Sequence, residues 1–290
     1  MANQFNSPEN TSTYVINPED AKECARSLLQ DRLVTKEMGG VFPAAFEPSP
    51  GQMVLDLACG SGGWVLDVAR TYPTTDIIGV DISQKMIRYA QAQAGILHLL
   101  NASLQVMDIL KPLQFPENAF QFVNARFLSS FMPKGAWLHL LQECLRVTQP
   151  GGVIRLTDCE APFSTSSTHE QIFALMKYAG QLDGKSFGPE GGMHGITLLL
   201  IQFLRDIGLT NIQRHAYALD YSHGTEAHEP NYQNFMMTFS LMAPWFVKMG
   251  VITKEEFERL HNQASVEMQQ PDFHGTLFFL SAWGTKPANS

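Results

Sequence analysis

Three carboxylates and a Gly-x-Gly turn are the groups in this chain whose types and spacing could do chemistry together. Asp56 sits in the apolar run Val54-Leu55-Asp56-Leu57, and Ala58-Cys59-Gly60-Ser61-Gly62-Gly63 follows before Trp64 opens a helical pattern. Glycine has no Cβ, so such a turn lets a ligand approach the backbone closely. A pyrophosphate-binding fingerprint needs a third glycine three residues after the second, and Val65 occupies that position. An acid placed ahead of the turn suits a ligand with a cationic amino-acid end instead. Asp81 lies about twenty residues further on, where a carboxylate ending a second strand can accept from both hydroxyls of a ribose. Its plainer alternative is a carboxylate favoured by the positive end of the next helix. Asp108 ends a third segment, Leu104-Gln105-Val106-Met107-Asp108, and taken alone reads equally as a solvated loop residue.

These residues need elements to hold them. The run ending at Asp56 reads as a buried parallel strand feeding a helix from about Trp64. A second strand is expected over Asp76–Asp81, with Ser83 as an N-cap and Met86, Ile87, Ala90 and Ala94 at helical spacing behind it. Phe120–Ala125 reads as a fourth strand. Trp137, Leu140, Leu141, Cys144 and Leu145 form the stripe of the next helix. Gln149-Pro150-Gly151-Gly152 is expected to stop that helix ahead of a fifth strand, Val153–Asp158. A last core helix over Ile196–Ile207, stopped by Gly208, precedes strands Asn211–Ala218 and Gly275–Gly284. Strands alternating with helices predict an α/β domain with a parallel sheet.

In this order the motifs resemble those of class I S-adenosylmethionine (SAM)-dependent methyltransferases of the hydrophobic small-molecule type, over roughly residues 50–160. Ala58 stands where that family's D-x-G-x-G-x-G has its first glycine. Phe115-Pro116-Glu117-Asn118 is similar to the loop before the family's fourth strand, with Gln121 where Asp is common. Thr148-Gln149-Pro150-Gly151-Gly152 resembles the family's L-x-P-G-G turn. The resemblance implies a Rossmann-like, seven-stranded sheet with a helical substrate cap, and S-adenosyl-L-methionine as cofactor. It implies a cofactor site built from Asp56, Ala58, Gly60, Ser61, Gly62, Asp81, Ile82, Met86, Asp108, Ile109 and Asn124. Asp81 would take the ribose, Asp108 the adenine amino group, and Ile109 would pack beside the ring.

The chain divides accordingly into an N-terminal arm and helix (1–45), the cofactor-binding core (46–160), and a cap insertion (161–193). A core helix and sixth strand (194–219), a second cap insertion (220–272), and a last strand and tail (273–290) follow. In the arm, Pro18 to about Lys36 reads as a helix with Asn17 as cap and Pro18 at the first helical position. Tyr14, a Glu-x-x-Arg helix and Met38-Gly39-Gly40 resemble an arm folded over the cofactor. Tyr14 would lie near the methionyl end, or simply pack on the helix. Both insertions should reach the carboxyl side of the sheet, where open α/β sheets bind ligands. The second one crowds Tyr232, Phe235, Met236, Met237, Phe239, Met242, Trp245, Phe246 and Met249 together. Packing core and apolar pocket are both open readings of that cluster, and Met suits adaptable pockets. Together the cap and its composition favour a bulky apolar or aromatic acceptor.

Methyl transfer from a sulfonium asks the protein mainly for positioning in a water-poor cleft, and for a general base when the acceptor must lose a proton. His194, in Gly191-Gly192-Met193-His194-Gly195, is the first candidate base, followed by Tyr178 and His169. His139 and His274 read as structural. A carboxylate cluster for a metal is not expected, since Asp158 and Glu160 alone do not make one. No serine-hydrolase order or H-E-x-x-H is present.

Lys plus Arg number 20 against 28 Asp plus Glu, a net charge of −8. That balance and the absence of basic runs argue against nucleic acid or an anionic membrane as partner. The four scattered cysteines suggest reduced thiols, and no signal segment or 18-residue apolar span is read, so a soluble cytoplasmic protein is expected. The partner is then a small-molecule acceptor, with a homodimer left open. The chemistry expected is methylation of a small apolar or aromatic molecule, in secondary metabolism or quinone-like chemistry. A methyltransferase-fold cyclase or pericyclase that binds SAM without methyl transfer is the alternative, because both need the glycine motif intact. A SAM-sensing subunit would tolerate a degraded motif, which this chain lacks.

Overall fold

The computed structural model describes residues 14–44, 46–187 and 195–288. Five parallel strands carry the core: β1 (Met53–Leu57), β2 (Asp76–Asp81), β3 (Ala102–Val106), β4 (Phe120–Arg126) and β5 (Thr148–Cys159). β6 (Phe163–Ser164), β7 (Thr210–Asp220) and β8 (Gly275–Thr285) complete an eight-stranded sheet ordered β3-β2-β1-β4-β5-β8-β6, with β7 also on β8. β8 runs antiparallel to β5 and β7. The eighth strand is the difference from the expected seven. It is the two-residue β6, which pairs with Thr276 and Gly275 where the chain turns back after β5.

Helices α1 (Ala21–Glu37), α2 (Gly63–Thr71), α3 (Gln84–Ile96), α4 (Trp137–Val147), α5 (Ser167–Leu182), α6 (Leu200–Asp206), α7 (His228–Lys248) and α8 (Lys254–Glu267) surround the sheet. Leu55, Val123, Ile154 and Leu200 belong to the core on one side, and Val54, Ile77, Trp64 and Phe122 to the core on the other. Alternation of side chains along each strand sends neighbours such as Val54 and Leu55 to opposite faces. The cap has an apolar core of its own, in which Ile172 of α5, Phe239 and Phe246 of α7 and Leu260 of α8 meet.

Three boundaries differ from expectation for local reasons. α1 starts at Ala21, because Asp20 caps it by accepting from Lys22 N at 2.8 Å, while Asn17 closes the preceding turn onto Glu19 N at 3.0 Å. α6 starts at Leu200, and Thr197–Leu199 form a turn ahead of it. Pro150-Gly151-Gly152 lies within β5 rather than before it. Gly151 takes φ +79°, a region glycine enters without penalty, and Gly151 and Gly152 exchange backbone hydrogen bonds with Lys286.

Candidate active site

The carboxyl ends of β1, β2, β4 and β5 open into one cavity, roofed by α1, α5 and α7. At its floor β1 runs into the glycine turn. Cys59 N donates to Val80 O at 2.9 Å, which locks the turn to β2. Ala58 and Gly60 sit at φ +53° and +54°. For Ala58 this left-handed conformation is strained, and it falls where the resembling family has glycine. Phe127, just past β4, is likewise left-handed at φ +57° and also lines the cavity.

Asp81 ends β2 with both oxygens engaged by backbone: Gly60 N donates to Oδ2 at 2.9 Å and Ser83 N to Oδ1 at 2.8 Å. Each oxygen keeps a further lone pair for a ribose hydroxyl. Burial raises its pKa, and the two amides oppose that rise. Asp108 follows β3, accepting from Leu110 N at 3.0 Å and facing Lys111 Nζ at 3.4 Å. Ile82, Met86, Met107, Ile109 and Leu110 join it as an apolar slot beside the carboxylate. An adenine ring with its amino group is matched by such a slot.

Asp56 is buried at the cavity floor. Asn124 Nδ2, from β4, donates to its Oδ1 at 2.7 Å, and its other oxygen makes no hydrogen bond among the described residues. Burial lifts its pKa to about 7, against the pull of Arg126, Asn124 and Arg155. A buried carboxylate with an open acceptor fits a ligand ammonium. The donor set thus suits each part of an aminoacyl nucleoside.

α1 closes over this floor. Arg126 of β4 pairs with Asp31 at 2.6 Å and donates to Thr35 Oγ1 at 3.1 Å, while Asp31 also accepts from the Trp64 amide at the start of α2. Further along α1, Glu23 accepts from Arg26 Nε at 2.6 Å and from Tyr14 OH at 2.9 Å, and Arg26 Nη1 reaches Asn234 of α7 at 3.3 Å. Tyr14 therefore lines the cavity within a buried network that joins the arm to the cap, and its burial raises the phenol pKa.

On the acceptor side, Phe131, Phe173, Met176, Phe235, Met242 and Trp245 give an apolar wall. The cap's aromatic and Met cluster is split: Phe239 and Phe246 pack in the cap core, while Met242 and Phe235 contribute to both core and wall. Asp158, at the end of β5, accepts from Ser129 Oγ at 2.7 Å, Ser129 N at 3.0 Å and Cys159 N at 2.9 Å. Burial lifts its pKa to about 7 despite these donors. Glu160 anchors the chain beyond the first insertion by accepting from Gly195 N at 3.0 Å and Thr197 Oγ1 at 2.6 Å.

Of the residues proposed from sequence, the structure brings Tyr14, Asp56, Ala58, Gly60, Asp81, Ile82, Met86, Asp108 and Ile109 to this cavity. It does not bring three others there. Asn124 lies behind Asp56, Gly62 caps α2 at φ +79°, and the hydroxyl of Ser61 is buried without a hydrogen-bond partner among the described residues. Two of the candidate bases are also displaced. His169 is fully buried in the cap core among Phe173, Phe235 and Phe239, with Nδ1 3.0 Å from Ser164 Oγ. Burial lowers its pKa. Tyr178 is 53% exposed on the outer face of α5. His194 lies outside the described residues. Glu23 and Arg26, the Glu-x-x-Arg pair of the arm, also line the cavity, and Asp31, Arg126, Ser129 and Asp158 are cavity residues that the motifs did not assign to it.

Residues 54–152 match a family model described as a methyltransferase domain. The demethylmenaquinone methyltransferase of Halalkalibacterium halodurans is 25% identical over 180 residues, 58% of this chain and 71% of that protein. That of Bacillus cytotoxicus is 29% identical over 140 residues, 48% of this chain and 57% of that protein. The chain thus spans little more than half the length of the second relative. Among solved structures, the YcgJ protein from Bacillus subtilis superposes with TM-score 0.52 at 16% identity, over 89% of this chain and 98% of its own. Phosphoethanolamine N-methyltransferase 2 of Haemonchus contortus gives TM-score 0.50 at 18% identity, over 89% of this chain and 52% of its own. These two likenesses concern the fold.

Over residues 54–152 the family match, with the sheet order and the glycine turn, marks a methyltransferase domain of the class I SAM-dependent type. S-adenosyl-L-methionine is the cofactor that such a domain takes. No helix among the described residues is long and apolar enough to cross a membrane.

Proposed function

We propose that the protein transfers the methyl group of S-adenosyl-L-methionine to a small, largely apolar or aromatic acceptor. The observation that carries this reading is the single cavity in which a polar floor (Asp56, Asp81, Asp108) faces an apolar wall (Phe131, Met176, Trp245). The floor matches the cofactor group by group, and the wall would exclude water from the reacting atoms. The curated relatives named demethylmenaquinone methyltransferases support a quinone-like aromatic acceptor, as does the ring-lined wall.

The bound sulfonium supplies the leaving group. This chain's part is to orient and to manage a proton. Asp81 and Asp108 fix the nucleoside, Asp56 the amino-acid end, and the α1–α7 network closes the roof. His194 is the proposed base. Asp158, with its pKa near 7, is a described carboxyl able to accept a proton at the same wall. The acidic net charge and four free cysteines support a cytoplasmic setting.

Turnover is the test. Incubation with SAM and a panel of reduced quinones and phenols should give S-adenosylhomocysteine only when an acceptor is present. Acceptor consumption without S-adenosylhomocysteine would instead support the cyclase alternative and contradict methyl transfer.

A further inference from the structure

Arg155 is a charge in an unusual place. It lies on β5, fully buried, with its guanidinium 5.5 Å from the Trp64 ring and 5.3 Å from the Phe122 ring. Both terminal amino groups lack a hydrogen-bond partner among the described residues. Its Nε donates to Asn124 Oδ1 at 2.8 Å. Burying a cation with so few partners is strongly unfavourable, because little repays the hydration it gives up. A hydrophobic side chain would suit that apolar neighbourhood better, so the cation needs another reason to be there.

The register across the sheet supplies one. Asp56 pairs with Asn124, and Asn124 with Arg155, so the three side chains form a row across β1, β4 and β5. A guanidinium has only donors. Facing it, the Asn124 amide must present its oxygen. The amide nitrogen is thereby turned to the other side, where it meets Asp56 Oδ1 at 2.7 Å. That nitrogen is a donor, so the carboxylate oxygen it meets must accept. With an acceptor or an apolar group at position 155, the amide could rotate and offer its oxygen to a protonated Asp56.

We propose that Arg155 is a positioning residue for the cofactor site: acting through Asn124, it holds Asp56 as an acceptor for the α-ammonium of the bound cofactor. The proposal rests on the SAM-binding reading. Other charged and titratable groups face the row as well. Asp31 from α1 opposes ionisation of Asp56, and Arg126 from β4 favours it. The Cys59 thiol is within electrostatic reach of Asp81 and Asp56, and Tyr217 of β7 within reach of Arg155. Arg126 is held by Asp31 and Thr35, leaving Arg155 as the cation that orients the amide.

The experiment is calorimetric titration of wild type, Arg155→Met and Arg155→Lys with two nucleosides, S-adenosylhomocysteine and 5′-methylthioadenosine. The second lacks the amino-acid end. Arg155→Met should bind S-adenosylhomocysteine about tenfold more weakly near pH 6.5, the effect of moving one carboxyl by about one pKa unit, and recover towards pH 8. Its affinity for 5′-methylthioadenosine should match wild type. Lysine is also donor-only, so Arg155→Lys should follow the wild-type pH profile, which keeps the proposal testable if the methionine variant misfolds. Equal loss of both nucleosides at every pH, no change in either, or methionine-like behaviour of the lysine variant would overturn it. Failure of wild type to bind either nucleoside would instead remove the cofactor reading, and this proposal with it.

Discussion

Asp56 must be an anion when it meets an ammonium, yet burial holds its pKa near 7 in the free protein. Below that value the carboxyl is increasingly protonated and has to lose its proton before the ligand's ammonium can pair with it. The sign follows: affinity for SAM or S-adenosylhomocysteine should rise with pH up to about 7, falling about tenfold per unit below it, and level off above. Calorimetry in buffers of different ionisation enthalpy at neutral pH should detect protons released on binding. A flat affinity from about pH 5.5 to 7.5, with no buffer dependence, would mean that Asp56 does not meet the ammonium. The three site carboxylates were legible in the sequence because each ends a strand, and strand ends are local features. Arg155 was not, because a charge inside an apolar strand shows nothing of the amide it touches on the next strand.

α1 sits so close to the glycine turn that the turn's composition answers to the helix as well as to the ligand. A Cβ on Gly60 would lie 2.6 Å from Ser27 Oγ, and one on Gly63 2.7 Å from Asp31 Cβ. Gly60→Ala should therefore weaken S-adenosylhomocysteine binding through two effects, the collision with α1 and the left-handed φ. Adding Ser27→Gly should restore part of the loss by removing the collision, read as Kd for the single and double variants. No recovery at all would show that α1 does not press on the turn. The sequence showed the glycines but not this contact, which pairs residues more than thirty positions apart. Helix faces were the other blind spot. On α5, Phe173, Met176, Lys177 and Gly180 share the cavity face, whereas His169 points into the cap core and Tyr178 into solvent. A 3.6-residue period places residues on faces without saying which face meets the cavity.

Across the whole molecule, arm, sheet and cap enclose one cavity, and the cap's own core braces its outer side. The succession of strands and the parallel α/β class were readable from strand–helix alternation and motif order. The two-residue β6 and the early start of β5 were not, since β6 pairs with β8 more than a hundred residues later and Thr148 of β5 pairs with Phe120 across the sheet. The cap's apolar character was visible in composition, but its division between core and pocket wall was settled only by packing. Because all three parts contact the cavity, ligand binding is expected to stabilise the folded chain as a whole, by about 2.7 kcal/mol at a hundredfold excess over Kd. The most direct test of the account is calorimetric titration of wild type and Asp81→Ala with SAM and S-adenosylhomocysteine. Micromolar binding of both, weakened about a hundredfold or more by Asp81→Ala through loss of two charge-assisted hydrogen bonds, is the expected result. Absence of binding to wild type, or unchanged affinity in Asp81→Ala, would contradict it.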